Sequence, residues 1–110
     1  MASFEIIGGN RLSGELVPQG SKNEALQILC AVLLTKEEVR VENVPNIRDV
    51  NKLIELLGFL GVRITKESAD VYIFRAENIN VDALHTAEFV KKATELRGSI
   101  MLVGPLLARL

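Results

Sequence analysis

One stretch constrains this chain more than any other: Gly20-Ser21-Lys22-Asn23-Glu24 and the apolar run behind it, Ala25 to Leu34. Ser21 followed by Glu24 three residues later is a capping box. In it the serine hydroxyl accepts from the Glu24 amide, and the Glu24 side chain reaches back to the Ser21 amide. The pattern predicts a helix starting at Ser21, with Lys22 and Asn23 in its first turn. From Ala25 to Leu34 only Gln27 is polar, so the helix is apolar nearly all round and has to be buried on most sides. Its N-terminus is then a fixed point on a rigid body, and sites mounted on rigid elements are the better defined ones.

Lysine in a first helical turn is against type. Free backbone N–H groups and the positive end of the helix dipole gather there, so acidic residues are the usual choice. Lys22 adds positive charge to a positive end, at a cost of a few tenths to about 1 kcal/mol. A bound phosphate or carboxylate would reverse that sign. Asn23 supplies an amide donor and acceptor beside it. The pentapeptide alone leaves two readings open: a solvated lysine at the first helical position, or an anion site.

Composition excludes several other classes of function. The chain has 110 residues, 48% of them hydrophobic and 25% charged, with a net charge of −1, which suits one globular domain with a real core. That balance gives no reason to expect nucleic acid or an anionic membrane as partner. No basic segment followed by an apolar one opens the chain, and its apolar runs are too short to span a bilayer, so a cytoplasmic location is the expectation. Cys30 is the only cysteine, which rules out an intrachain disulfide or a cysteine-based metal cluster. It lies in the predicted buried helix and reads as a small core residue. His85, the only histidine, has no second ligand type at metal spacing and reads as a surface or loop residue. No charge-relay triad can be assembled.

Taken in order, Phe4 to Ile7 and Leu12 to Val17 read as two short strands around the turn signal Gly8-Gly9-Asn10. Pro18-Gln19-Gly20 breaks the chain before the capping box. After the helix and a polar turn, Val39 to Glu42 alternates as a half-buried strand does. Asn46 is a plausible N-cap for a second helix. In that helix Ile47, Val50, Leu53, Ile54, Leu57 and Leu60 recur at helical spacing, and Gly58 and Gly61 mark its end. Asp49 falls in its first turn, where a carboxylate complements the dipole. Strands are expected at Val62 to Thr65 and Val71 to Phe74, then a loop from Glu77 to Leu84 and a helix from Glu88 to Glu95. Gly98-Ser99 opens another apolar run, echoing Gly20-Ser21. The fold class is therefore α+β, in the order β-α-β-α-β-β. The greasy segment from Ile100 to Leu110 needs something to bury against, which reads as the front piece of something larger.

With these residues in hand, the chain resembles the N-terminal part of the UDP-N-acetylglucosamine enolpyruvyl (1-carboxyvinyl) transferase family. The resemblance runs from Phe4 to Arg109 and is carried by five blocks in order. They are Leu12-x-Gly14-Glu15; Gly20-Ser21-Lys22-Asn23-x-Ala25-Leu26; Asn43-Val44-Pro45-x-x-x-Asp49-Val50; Leu57-x-x-Leu60-Gly61; and Arg97-x-Ser99-Ile100-x-x-x-Gly104-Pro105-Leu106-x-Ala108-Arg109. The sister family, the enolpyruvyl shikimate-phosphate synthases, typically has Ser-Lys-Ser followed closely by arginine. Here Ser21-Lys22-Asn23 is followed by no arginine until Arg40, which favours the nucleotide-sugar enzymes.

The resemblance implies an enzyme that moves enolpyruvyl from phosphoenolpyruvate to the 3-hydroxyl of UDP-N-acetylglucosamine, in the first committed step of peptidoglycan synthesis. It implies that Lys22 and Asn23 contact phosphoenolpyruvate and the sugar, that Arg97 contacts the UDP-sugar, and that Asp49 is a possible supporting residue. No cofactor and no metal is implied. The implied fold is the inside-out α/β barrel, two domains of βαβαββ units with helices packed inside a sheet layer. Residues 1–19 would belong to the second domain and residues 20–110 to the first part of the catalytic domain. The family's catalytic cysteine loop would lie beyond Leu110, so no catalytic residue is expected within the chain and the 110 residues alone are expected to be inactive. Two alternatives accompany this reading: a standalone, non-catalytic βαβαββ binding module, and a shikimate-phosphate-type enzyme. Orphan N-terminal strands and an uncovered C-terminal segment also suggest self-association.

Overall fold

The computed structural model describes residues 2–109, with nothing described of the side chains at positions 97 and 98. Helix α1 (Lys22–Ala31) continues into a 3-10 turn, Val32–Leu34, and is followed by strand β1 (Glu38–Val41). Helix α2 (Arg48–Phe59) leads to a hairpin of β2 (Arg63–Ser68) and β3 (Val71–Arg75). A 3-10 turn, Val81–His85, precedes α3 (Ala87–Glu95), and a second one, Arg97–Leu102, precedes α4 (Val103–Arg109). The sheet has the order β1-β3-β2 with both pairings antiparallel, so the α+β class holds.

The core fills the space between one face of this sheet and the helices. Leu29 and Leu33 from α1 and its extension meet Val50, Leu53, Leu56 and Leu57 from α2, all fully buried with Phe74 of β3. Period-two alternation puts Phe74 and the partly buried Tyr72 on the inner face of β3, their rings stacked at 5.9 Å between centroids. Val39, Val41 and Ile64 pack beside them from the flanking strands. Helix α3 is tied to α2 by Lys52–Glu95 at 3.0 Å and Lys92–Glu55 at 2.5 Å.

Both expected breaks flanking α2 exist, though one is built differently. Its end is a Schellman motif: the Val62 amide donates to Leu57 and the Gly61 amide to Gly58, each at 3.1 Å. Gly61 carries φ +92, the left-handed conformation this motif needs. At its start the N-cap is Ile47, with no side-chain cap. Asn46 instead accepts at 2.9 Å from the side-chain amide of Asn51, one turn into the helix.

Besides the Asn46 cap, three expectations fail. Phe4 to Ile7 and Leu12 to Val17 are not strands; residues 2–20 hold no regular element, and Phe4, Ile6, Leu12 and Leu16 are each about nine-tenths exposed or more. Gly9 does turn at φ +83, with the Asn10 side chain donating to Ile7 O at 3.3 Å. No neighbouring strand offers a ladder, and an isolated two-stranded pair is marginal in water. The loop from Glu77 to Leu84 contains the 3-10 turn Val81–His85. Finally, Ser99 caps no helix. It lies inside Arg97–Leu102, and its hydroxyl donates to Ala93 O at 2.8 Å.

The C-terminal segment is held, though only in part. Leu102 and Leu106 are buried, while Ile100 and Leu107 remain largely exposed. The Arg109 guanidinium fastens α4 through four backbone carbonyls. One nitrogen donates to Leu33 O at 2.6 Å and Thr35 O at 3.1 Å. The other donates to Ala76 O at 2.8 Å and Glu77 O at 3.3 Å.

Candidate functional site

Helix α1 begins as its sequence predicts. Ser21 is the N-cap, in extended conformation, and its hydroxyl accepts from the Glu24 amide at 3.4 Å. The return contact from the Glu24 side chain is not formed among the described hydrogen bonds. Ala25 N donates to Ser21 O at 3.0 Å, closing the first turn. Ala25, Leu26, Leu29 and Cys30 bury one side of the helix, which leaves Lys22, Asn23 and Gln27 on its open side.

A second helix start is fixed against the first by a contact that leaves no room for a side chain. A Cβ at Gly20 would lie 2.0 Å from Asn43 O and 3.2 Å from the Pro45 ring, so the segment before α1 runs directly against the loop before α2. Asn43 adopts φ +58 there, a conformation that asparagine tolerates better than most residues. The Val44 amide donates to Asp70 O at 2.9 Å, anchoring the same loop to the hairpin.

This crossing brings Lys22 and Asp49 together. Lys22 Nζ lies 2.6 Å from Asp49 Oδ2, with both side chains partly exposed. The hydrogen bond from Lys22 is the largest effect and holds the Asp49 carboxyl below the usual carboxylate range; burial opposes it, and the charges of Lys22, Arg48 and Lys52 add to the lowering. Asp49 therefore does more than complement the α2 dipole. It is the counter-ion of the lysine.

The pair stands on the rim of an open cleft of about 460 Å³, lined by Lys22, Asn23, Leu26 and Gln27 from α1, Asp49 from α2, and Ile100 and Met101 from the 3-10 turn. Of the expected site residues, Lys22, Asn23 and Asp49 thus converge. The backbone of Arg97 opens the turn that carries Ile100 and Met101 to the cleft, and its side chain lies outside what the structure describes. Sequence reading passed over Gln27. Its signal was present, because it is the one polar residue in the apolar run and stands four residues after Asn23, on the same helical face. Ile100 and Met101 carried no such signal.

Two helix starts, a lysine and two side-chain amides favour an anion at this cleft, against the opposing charge of the Asp49 carboxylate. Nothing at this cleft offers a nucleophile. Cys30 is 2% exposed, and burial pushes its thiol up to about 11, the wrong direction for reactivity. Among the described residues no group of His, Cys, Asp and Glu could hold a metal ion, and no helix is long and apolar enough to cross a membrane.

The sequence is similar to those of known proteins. The profile of the family described as EPSP synthase (3-phosphoshikimate 1-carboxyvinyltransferase) matches residues 6–110. The chain is 58% identical over 109 residues to a protein of Bacteroides thetaiotaomicron named UDP-N-acetylglucosamine 1-carboxyvinyltransferase. It is 56% identical to one of that name from Bacteroides fragilis and 51% identical to one from Porphyromonas gingivalis. Each alignment covers 99% of this chain and 25% of the relative, so the chain spans about a quarter of the length of the curated relatives it matches.

Proposed function

The chain belongs to the EPSP synthase family, and from that premise we propose that it is the N-terminal part of an enzyme transferring enolpyruvyl from phosphoenolpyruvate to the 3-hydroxyl of UDP-N-acetylglucosamine. The observation that carries this reading is the placement of Lys22 and Asn23, side by side at the head of α1, on a cleft that a second helix start also faces. The names of relatives that are 51–58% identical supply the substrates.

The chemistry asks for what this cleft has. The sugar hydroxyl adds to the carbon bearing the phosphate ester, the methylene carbon takes up a proton, and loss of phosphate with a proton restores the double bond. Negative charge on phosphate and carboxylate has to be held throughout, which favours fixed cationic and N–H donors over a covalent nucleophile. Lys22 pairs with the phosphate or carboxylate of phosphoenolpyruvate, Asn23 orients the sugar hydroxyl, and Arg97 meets the nucleotide sugar. The family's catalytic cysteine loop lies further along the polypeptide than Leu110. The 110 residues alone should therefore release no phosphate from the two substrates.

The same reading carries a finer architecture for the full-length protein. Residues 1–19 pair with the sheet of a second domain, and the helices lie inside the sheets of a two-domain inside-out barrel that closes over the substrates. The enzyme works in the cytoplasm, at the first committed step of peptidoglycan synthesis.

Lys22→Ala in the full-length protein tests the site. Phosphoenolpyruvate binding should weaken by about 2–4 kcal/mol, because a charged partner is removed from a site formed for it. Melting should hardly move, since a first-turn lysine is at best neutral to its helix. Calorimetric titration beside a melting curve decides, and unchanged affinity would return Lys22 to a solvated surface residue.

A further inference from the structure

Lys22 already has a partner of opposite charge. Its ammonium meets Asp49 at 2.6 Å across the cleft, and an anion arriving at Lys22 meets that carboxylate first. We propose that Asp49 is a built-in counter-ion that competes with the substrate's anionic group for Lys22 and is exchanged for it on binding. This rests on the function proposed above.

Three features support an exchange rather than a fixed pair. Neither partner is buried, so parting them strands no charge in the core, and exposed pairs of this kind hold weakly. The two helix starts are locked to each other by the bare crossing of Gly20 on Asn43 and Pro45. The meeting of Lys22 with Asp49 is therefore imposed by the fold, not gathered by chance from long surface side chains. Asp49 also has somewhere to go. Helix α2 starts with no side-chain cap, so its first-turn amides are open to a carboxylate that has let go of Lys22. Arg48 and Lys52 stand close enough to favour the charged form there.

Such a counter-ion keeps Lys22 oriented and sets the strength an incoming anion must exceed. Its removal should tighten anion binding. If Asp49 merely held the lysine in place for the ligand, removal would weaken it.

The experiment titrates inorganic phosphate into the full-length protein by calorimetry, for the natural sequence and for Asp49→Asn, Asp49→Ser and Lys22→Ala. The expected result is a tightening of roughly three- to fivefold in both Asp49 variants, the factor a competing exposed ion pair can supply, with binding lost in Lys22→Ala. Asp49→Ser keeps a residue suited to the start of a helix, so it reads the same quantity if Asp49→Asn folds poorly. Unchanged or weakened phosphate binding in the Asp49 variants, with Lys22→Ala still abolishing it, overturns the exchange and leaves the proposed function standing. Phosphate binding that survives Lys22→Ala overturns the function reading itself.

Discussion

At the scale of single residues, the Lys22–Asp49 pair makes a prediction about acid that needs no ligand. The hydrogen bond from Lys22 depresses the Asp49 carboxyl. The pair therefore contributes stability above the ordinary carboxylate range and loses it as pH falls through the depressed value. A carbon-detected NMR titration should place the Asp49 midpoint below the ordinary value of about 3.9, and Lys22→Ala should move it back up. An unmoved midpoint would mean that the two side chains do not meet in solution. Half of this pair was legible beforehand. Lys22 stands out because a lysine in a first helical turn conflicts with the dipole, and local conflicts of this kind are visible without coordinates. Asp49 agrees with its own dipole, so nothing local marks it. Its partner stands 27 positions away (49 − 22), and only the crossing of two loops brings them together.

At the scale of elements, that crossing is the tightest approach at any of the described glycines. Gly20→Ala places a methyl 2.0 Å from a backbone oxygen that cannot swing aside, so the head of α1 must shift. A loss of about 1–3 kcal/mol is expected, the range for forced overpacking, together with weaker phosphoenolpyruvate binding in the full-length protein, because Lys22 moves with the helix. Denaturant midpoints and titration measure the two effects, and an unchanged midpoint would mean that the two loops are not in contact. The elements between residues 22 and 75 were largely foreseeable, because capping residues, helical periodicity and period-two alternation agree there. The N-terminal strands were not, for a physical reason. Alternation shows that a segment can pair, while pairing itself depends on a neighbour that local sequence does not describe. Ser99 misled for a related reason. A serine ahead of an apolar run can cap the segment after it or bond the segment before it, and here the Ala93 carbonyl was the nearer partner.

At the scale of the whole molecule, residues 2–19 project from a packed body. The radius of gyration is 17.1 Å, with a longest extent of 58 Å, against about 13 Å for a compact chain of this length. Exposed Phe4, Ile6, Leu12 and Leu16 lie along that projection, and Ile100 and Leu107 lie on the α4 side. Unsheltered apolar surface of this kind promotes association, so the isolated 110 residues should be dimeric or larger by light scattering at micromolar concentration. Amide exchange should be fast from residue 2 to residue 19 and slow at Leu29, Leu53 and Phe74. A monomer with protected amides at Phe4 to Ile7 would contradict both expectations. The Arg109 guanidinium has a consequence of another kind, in the order of events as the chain folds. It joins carbonyls 76 and 33 positions back along the chain, at Leu33 and Ala76, so its contacts form only after the segments they bridge have already met. A contact made after the transition state governs escape from the native state rather than arrival at it. Arg109→Ala should therefore steepen the loss of structure with time, speeding unfolding several-fold in stopped-flow measurements while leaving the refolding rate nearly unchanged.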